Sequence, residues 1–208
     1  MFDKEFKLAL ANLPDAEKDK LLVRLLRKDK DLANRLYFEL VDHETVEQKR
    51  EKMAAAIREK AVRAYDSYYS PGLLLMATRD ISGDIAYHVK ITKDKYGDVS
   101  LSMQLLIDTL TLHAERLASM RTSTGYKLFI YLINKTFKIL LQIHSMDEDY
   151  RLDFKENLQT LGELIGNCPP LMRMCIQNGL DVIWLTRNEI PDDIVALHRE
   201  IKDSGFLV

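Results

Sequence analysis

Glycine and proline are scarce in this chain, 8 and 5 of 208 residues. That is too few for a fold built on many tight turns, and no Gly/Ser-rich or Pro-rich linker is present to separate domains. The two cysteines, Cys168 and Cys175, cannot make a disulfide framework, and they are expected as reduced thiols. Charge of one sign is lacking too: 30 Lys and Arg against 32 Asp and Glu leave a net charge of -2 and a pI near 6.2. No global basic field draws in nucleic acid or an anionic membrane, so neither is an expected partner. Met1-Phe2-Asp3-Lys4-Glu5 has mixed charge and no apolar core of the kind a secretory signal needs. The expected location is the cytoplasm.

What is abundant is helix-forming material. Hydrophobic residues make up 47% and charged ones 30%, the balance of a globular protein rather than a disordered one. The stretch Tyr126–His144 organises the rest. Wound at ~100° per residue, it places Lys127, Tyr131, Asn134, Lys135, Lys138 and Gln142 on one strip roughly 100° wide. The remaining circumference is apolar, including Leu128, Phe129, Leu132, Phe137 and Leu140. A surface helix shows the reverse proportions, so this one is expected to be wrapped by neighbours on every side but one. It is long enough to span a bilayer, but each of its three lysines would cost roughly 2.5–3.5 kcal/mol near a membrane centre.

The rest of the chain reads as helices on either side of this spine. A short opening helix at 3–12 precedes a helix with Pro14 in its first turn, running to Lys28 with Leu22, Leu25 and Leu26 inward. Lys28-Asp29-Lys30-Asp31 breaks it, and a third helix turns Leu36, Tyr37, Leu40 and Val41 inward. Long helices are expected at 44–69, 73–95 and 99–120, with Tyr96-Gly97-Asp98 as a turn. Gly83, inside the second of these, is either a close-packing position or a weak point. After the spine, 146–165 reads as one helix, Pro169 seeds a short one, Leu180–Leu185 suits strand or helix equally, and Pro191 opens the last. Leu13-Pro14-Asp15 and Ile190-Pro191-Asp192 echo stacked helical hairpins, but two copies do not make a repeat.

Most specific chemistries fail on spacing. No HExxH pair exists among the five histidines; three helices could bring His88, His113 and His144 together around a metal, but an ordinary core-edge histidine is the expected role. No phosphate-binding glycine loop occurs. Glu44 and Glu47 form one acidic pair of the type that holds magnesium in all-α nucleotide pyrophosphohydrolases, without a second pair at a suitable distance. Cys168 precedes two prolines near a helix start, where a thiolate can be stabilised, although a structural role is the default. Basic residues of the 44–69 helix are interleaved with acids, as on a solvated face.

The expectation is therefore an all-α fold: a single-domain irregular bundle, or a short array of stacked helical hairpins, with about nine helices around a central buried helix near 126–144. Residues 1–42 form a helical hairpin region packed on a 43–208 core. The expected function is protein or peptide binding without catalysis, needing no cofactor and no metal. An acidic segment of another protein, or alternatively a phosphate, would lie on the strip of Lys127, Asn134, Lys135 and Lys138. A homodimer is compatible with Tyr68 and Tyr69 at a helix end. The alternative is a metal-dependent nucleotide pyrophosphohydrolase using Glu44 and Glu47.

Overall fold

In the computed structural model, which describes residues 3–208, every regular element among the described residues is helical. In chain order these are α1 (Lys4–Ala11), α2 (Asp15–Leu26), α3 (Lys30–Leu40), α4 (Val46–Asp66), α5 (Pro71–Thr92), α6 (Lys95–Leu112) and α7 (Ala114–Ala118). They are followed by α8 (Thr122–His144), α9 (Glu148–Leu152), α10 (Lys155–Gly166), α11 (Pro169–Gln177), α12 (Ile183–Thr186) and α13 (Ile194–Asp203).

The spine is α8. Its Phe129, Phe137, Ile139 and Leu140 have no measurable exposure, and α5, α6, α11 and α13 pack against it. The predicted proportions of its surface therefore hold: a wide apolar arc under neighbours and a narrow polar strip facing out. A second, smaller core of Ile57, Ile81, Ile85, Leu101 and Leu105 joins α4, α5 and α6. Among the described residues no helix is long and apolar enough to cross a membrane.

Local chemistry sets the helix ends. Thr45 and Gln48 close a reciprocal capping box on α4, and the Ser70 hydroxyl caps α5 with Pro71 in its first turn. Lys93, in a left-handed conformation at φ 60°, ends α5. The turn expected at Tyr96-Gly97-Asp98 is instead the first turn of α6. The Asp94 carboxylate accepts the Gly97 N–H at 2.7 Å and starts the helix there. Any side chain at Gly97 would run into that carboxylate, so only glycine permits the close approach.

The described residues form thirteen helices rather than about nine, and two breaks in long segments account for part of the difference. The 99–120 segment divides at His113 into α6 and α7, and the 146–165 segment divides at Asp153-Phe154 into α9 and α10. The ambiguous 180–185 run ends in the short α12. Pro14 lies one position outside α2, as its N-cap, rather than within its first turn. Nothing fills the space beside Gly83, which makes it a weak point rather than a packing position.

The larger correction concerns the first three helices. None of their residues is buried. Leu22 and Leu40, expected inward, are 55% and 78% exposed; Leu25, Tyr37 and Val41 are exposed as well. Only α3 is well seated. It rests on α5 through an ion pair between Asp31 and Lys90, and through the Asn34 amide donating to the Tyr87 hydroxyl at 2.6 Å. The periodicity correctly grouped these apolar residues on common faces, but no second layer covers those faces.

Candidate functional site

The open strip of α8 and the cleft at its C-terminal end are two places where polar side chains gather. The strip does not behave as one surface. Lys138 donates to both carboxylate oxygens of Asp98, at 3.1 and 3.0 Å, and Gln142 donates to the same carboxylate at 2.6 Å. Asn134 directs its amide to the carbonyls of Ile130 and Leu207, which fastens residues 206–208 along the spine. Lys127 lies near the other end, lining a hollow with Pro71, Leu75 and Tyr126. Asn134 and Lys138 are thus taken up by contacts within the chain, and Lys127 and Lys135 remain without a carboxylate partner.

Lys135 has an unusual setting. Its ammonium stands over the Tyr131 ring, 5.9 Å from the centroid, and the Arg79 guanidinium lies 5.4 Å from that centroid. The Tyr131 hydroxyl donates to Ser82 at 2.7 Å, which fixes the ring on α5. Burial and the nearby Lys138 charge push the Lys135 amine below its ordinary range, against a smaller opposing effect of Asp98. Neither Arg79 nor Lys135 has a carboxylate within ion-pair distance among the described residues. Two cations held against one aromatic ring, one of them half-buried, form a local excess of positive charge in a protein that is otherwise nearly neutral. Arg79 was not among the residues predicted from the strip. It lies on a different helix, and nothing local in the sequence connects it to Tyr131.

The cleft has a volume of about 810 Å³ and is lined by the first turns of α4 and α6, the end of α8, and α9. Its back wall is organised by Asp94. Arg50 makes a two-pronged contact to that carboxylate, at 2.6 and 2.9 Å, while its guanidinium covers the Tyr96 ring at 4.7 Å. His88 Nε2 stands 3.6 Å from the same carboxylate. Burial opposes ionisation of Asp94, but His88, Arg50 and the Gly97 N–H outweigh it and hold the carboxyl at about 2. On the outer wall, Arg151 donates to the carbonyls of His144, the last residue of α8, and of Met146 just beyond it, and so holds α9 in place. Glu47, Asp147 and Asp153 line the opening with Lys95, Tyr96 and Tyr150. Three carboxylates against Arg50, already paired, and Lys95 make the opening unfavourable for an anion.

The histidines considered for a metal lie in different surroundings. His88 faces Asp94; His113 is enclosed by Tyr65, Tyr68 and Arg116. His144 closes α8. Among the described residues no group of three or more His, Cys, Asp or Glu side chains is placed to hold a metal ion. Glu44 is bound by Lys49 and Lys52, whereas Glu47 lines the cleft, so the acidic pair is divided. Both cysteines are buried free thiols; burial raises Cys168 and pushes Cys175 up to about 12, far from the thiolate a nucleophile needs. Tyr68 stacks inward on His113 and Arg116, while Tyr69 is exposed. No family model matches the chain, and neither a curated protein nor a solved structure was found to be similar to it.

Proposed function

We propose that the chain is a binding protein without catalytic activity, and that it takes an acidic segment of a partner protein against the α5–α8 seam. The observation that carries this reading is the pair of uncompensated cations, Arg79 and Lys135, held against Tyr131. A carboxylate placed between them gains two charge-assisted contacts, and it relieves the half-buried Lys135 ammonium of its burial penalty. Lys127 extends the positive strip one turn beyond Tyr131. Lys138 adds little, because Asp98 already neutralises it. The acid-rimmed cleft favours no anion, and Glu44 is bound by Lys49 and Lys52, away from Glu47.

The test uses a fluorescein-labelled oligoglutamate peptide and anisotropy at low salt. Binding should weaken by at least about tenfold in Arg79→Glu and Lys135→Glu, and again as ionic strength rises, with the melting temperature unchanged. Lys138→Gln should have a much smaller effect. Equal affinity for the wild-type chain and both reversals removes the proposal.

A further inference from the structure

One turn before Tyr131, the α5–α8 seam opens into a hollow of about 550 Å³. We infer that this hollow is the anchor pocket for one apolar side chain of the acidic segment that Arg79 and Lys135 receive. The partner is then an extended segment in which an apolar residue shares a face with acids at alternate positions. This rests on the binding reading above and adds what the segment must carry besides charge.

The hollow lies between the N-terminal turns of two long helices. Pro71 and Gly72 of α5 line one side, Thr124 and Tyr126 of α8 the other, and the buried Leu75 and Leu128 lie beneath. The two helices run in the same direction here, because Leu75 lies with Leu128 and, further along both, Ser82 meets Tyr131. Moving along both walls therefore leads from the hollow to the cation pair. On α5, Gly72, Met76 and Arg79 recur at i, i+4 and i+7. Met76 is 67% exposed, so apolar surface continues from the hollow to the guanidinium. On α8, Tyr131 and Lys135 lie roughly 6 and 12 Å beyond Lys127 along the axis, at 1.5 Å per residue.

Charge selects the occupant. Helix α8 contains no acidic residue, and the two of α5, Asp80 and Asp84, both pair with Lys60 of α4. Neither wall thus supplies a counter-charge to Arg79, Lys127 or Lys135, and Asp98 of α6 is taken by Lys138 and Gln142. A ligand without acids leaves these cations bare, and one without an apolar group leaves Leu75 and Leu128 under water. An extended strand presents the same face every second residue, at roughly 6.5–7 Å. With its apolar residue in the hollow, its acids two and four positions away reach the levels of Tyr131 and Lys135. A helical ligand would instead need a stripe of apolar pockets, and the seam has one.

Two fluorescein-labelled peptides, compared by anisotropy at low salt, test the inference. In both, serines alternate with glutamates outward from a central residue, which is leucine in one and serine in the other, so either chain direction fits. The leucine peptide should bind the wild-type chain about tenfold tighter, as burial of most of a leucine side chain implies. Gly72→Phe fills the hollow from one wall and Thr124→Phe from the other, both at exposed positions, and a side chain at Gly72 meets only the Ser70 hydroxyl at 3.8 Å. Each should abolish the preference for leucine and leave circular dichroism and serine-peptide binding as they were. Exchanging the leucine with a neighbouring serine should abolish it too. Arg79→Glu should weaken both peptides by the same factor. Equal affinity of the two peptides for the wild-type chain overturns this inference while the cation reading stands; binding of neither removes both. A preference that survives both fillings, or the exchange, also overturns it. So does displacement of the leucine peptide by decanoate at a lower concentration than by the unlabelled peptide, which gives the hollow to a lipid-like anion. Self-association of the chain that the leucine peptide reverses gives it to a second copy, with the same consequence.

Discussion

The helices before residue 42 and those after it use the same alphabet to different ends. Both carry leucines at helical spacing. In α8 those leucines meet other helices on most of the circumference; in α2 they meet one neighbour and then solvent. The core also fastens its polar groups over long sequence distances, as with Arg50 on Asp94 and Tyr131 on Ser82. In the first two helices the bonds are short-range ones such as Asp3 capping α1 and Lys18 reaching Asp15. Amphipathicity is thus a statement about a helix, and burial a statement about its neighbours. A helix can be correctly patterned and still await its second layer.

The sharpest way to break this comparison is a matched pair of truncations. Phe137→Ala, in the fully buried part of the spine, should lower unfolding free energy by about 3–5 kcal/mol. Leu22→Ala should change it by no more than about 0.5 kcal/mol at concentrations where the chain is monomeric. Denaturant titration measures both, and equal losses would show that the hairpin folds as part of the core.

Mild acid should act chiefly through a histidine of the core. His113 is buried between Tyr65 and Tyr68, with burial and then the Arg116 charge lowering its pKa from 6.5 to about 4. Below pH 6.5 the unfolded chain takes up a proton that the folded one refuses, so the His113 contribution is complete above pH 6.5 and is lost as pH falls toward 4. At about 1.4 kcal/mol per pH unit, that interval is worth on the order of 3 kcal/mol. Stability measured between pH 7 and 4 should fall along this course and flatten in His113→Phe. Residues 3–41 contain no histidine, so none of this histidine-linked loss arises there. The smallest effect is a gain: Gly83→Ala, exposed in α5 with open space where the methyl goes, should add roughly 0.5–1 kcal/mol. A loss there would mean that α5 needs its flexible point.

The spine was legible because a 23-residue helix offers many turns over which the apolar arc repeats, and chance rarely sustains such a pattern. The breaks at His113 and Asp153 were not legible, since no glycine or proline marks either one and tertiary packing decides them. Asp94 was partly legible. An aspartate three residues before glycine is an N-cap pattern, but its contact to Arg50 spans 44 positions. The strip of α8 was read correctly as residues sharing a side. Which of its lysines keeps an open charge depended on Asp98, brought from another helix to Lys138 but not to Lys135. Arg79 became part of the candidate site only when α5 and α8 were seen to share Tyr131.

Trp184, the single tryptophan, stands edge-on to Phe137 with ring centroids 6.4 Å apart. Excited at the red edge, where the nine tyrosines absorb negligibly, the chain reports through one indole, and it is built into the wall of the spine. Its emission follows the fate of that wall and is silent about residues 3–41, whereas far-ultraviolet circular dichroism sums every helix. The divergence of the two optical signals during a melt is a direct reading of how separately the two regions come apart.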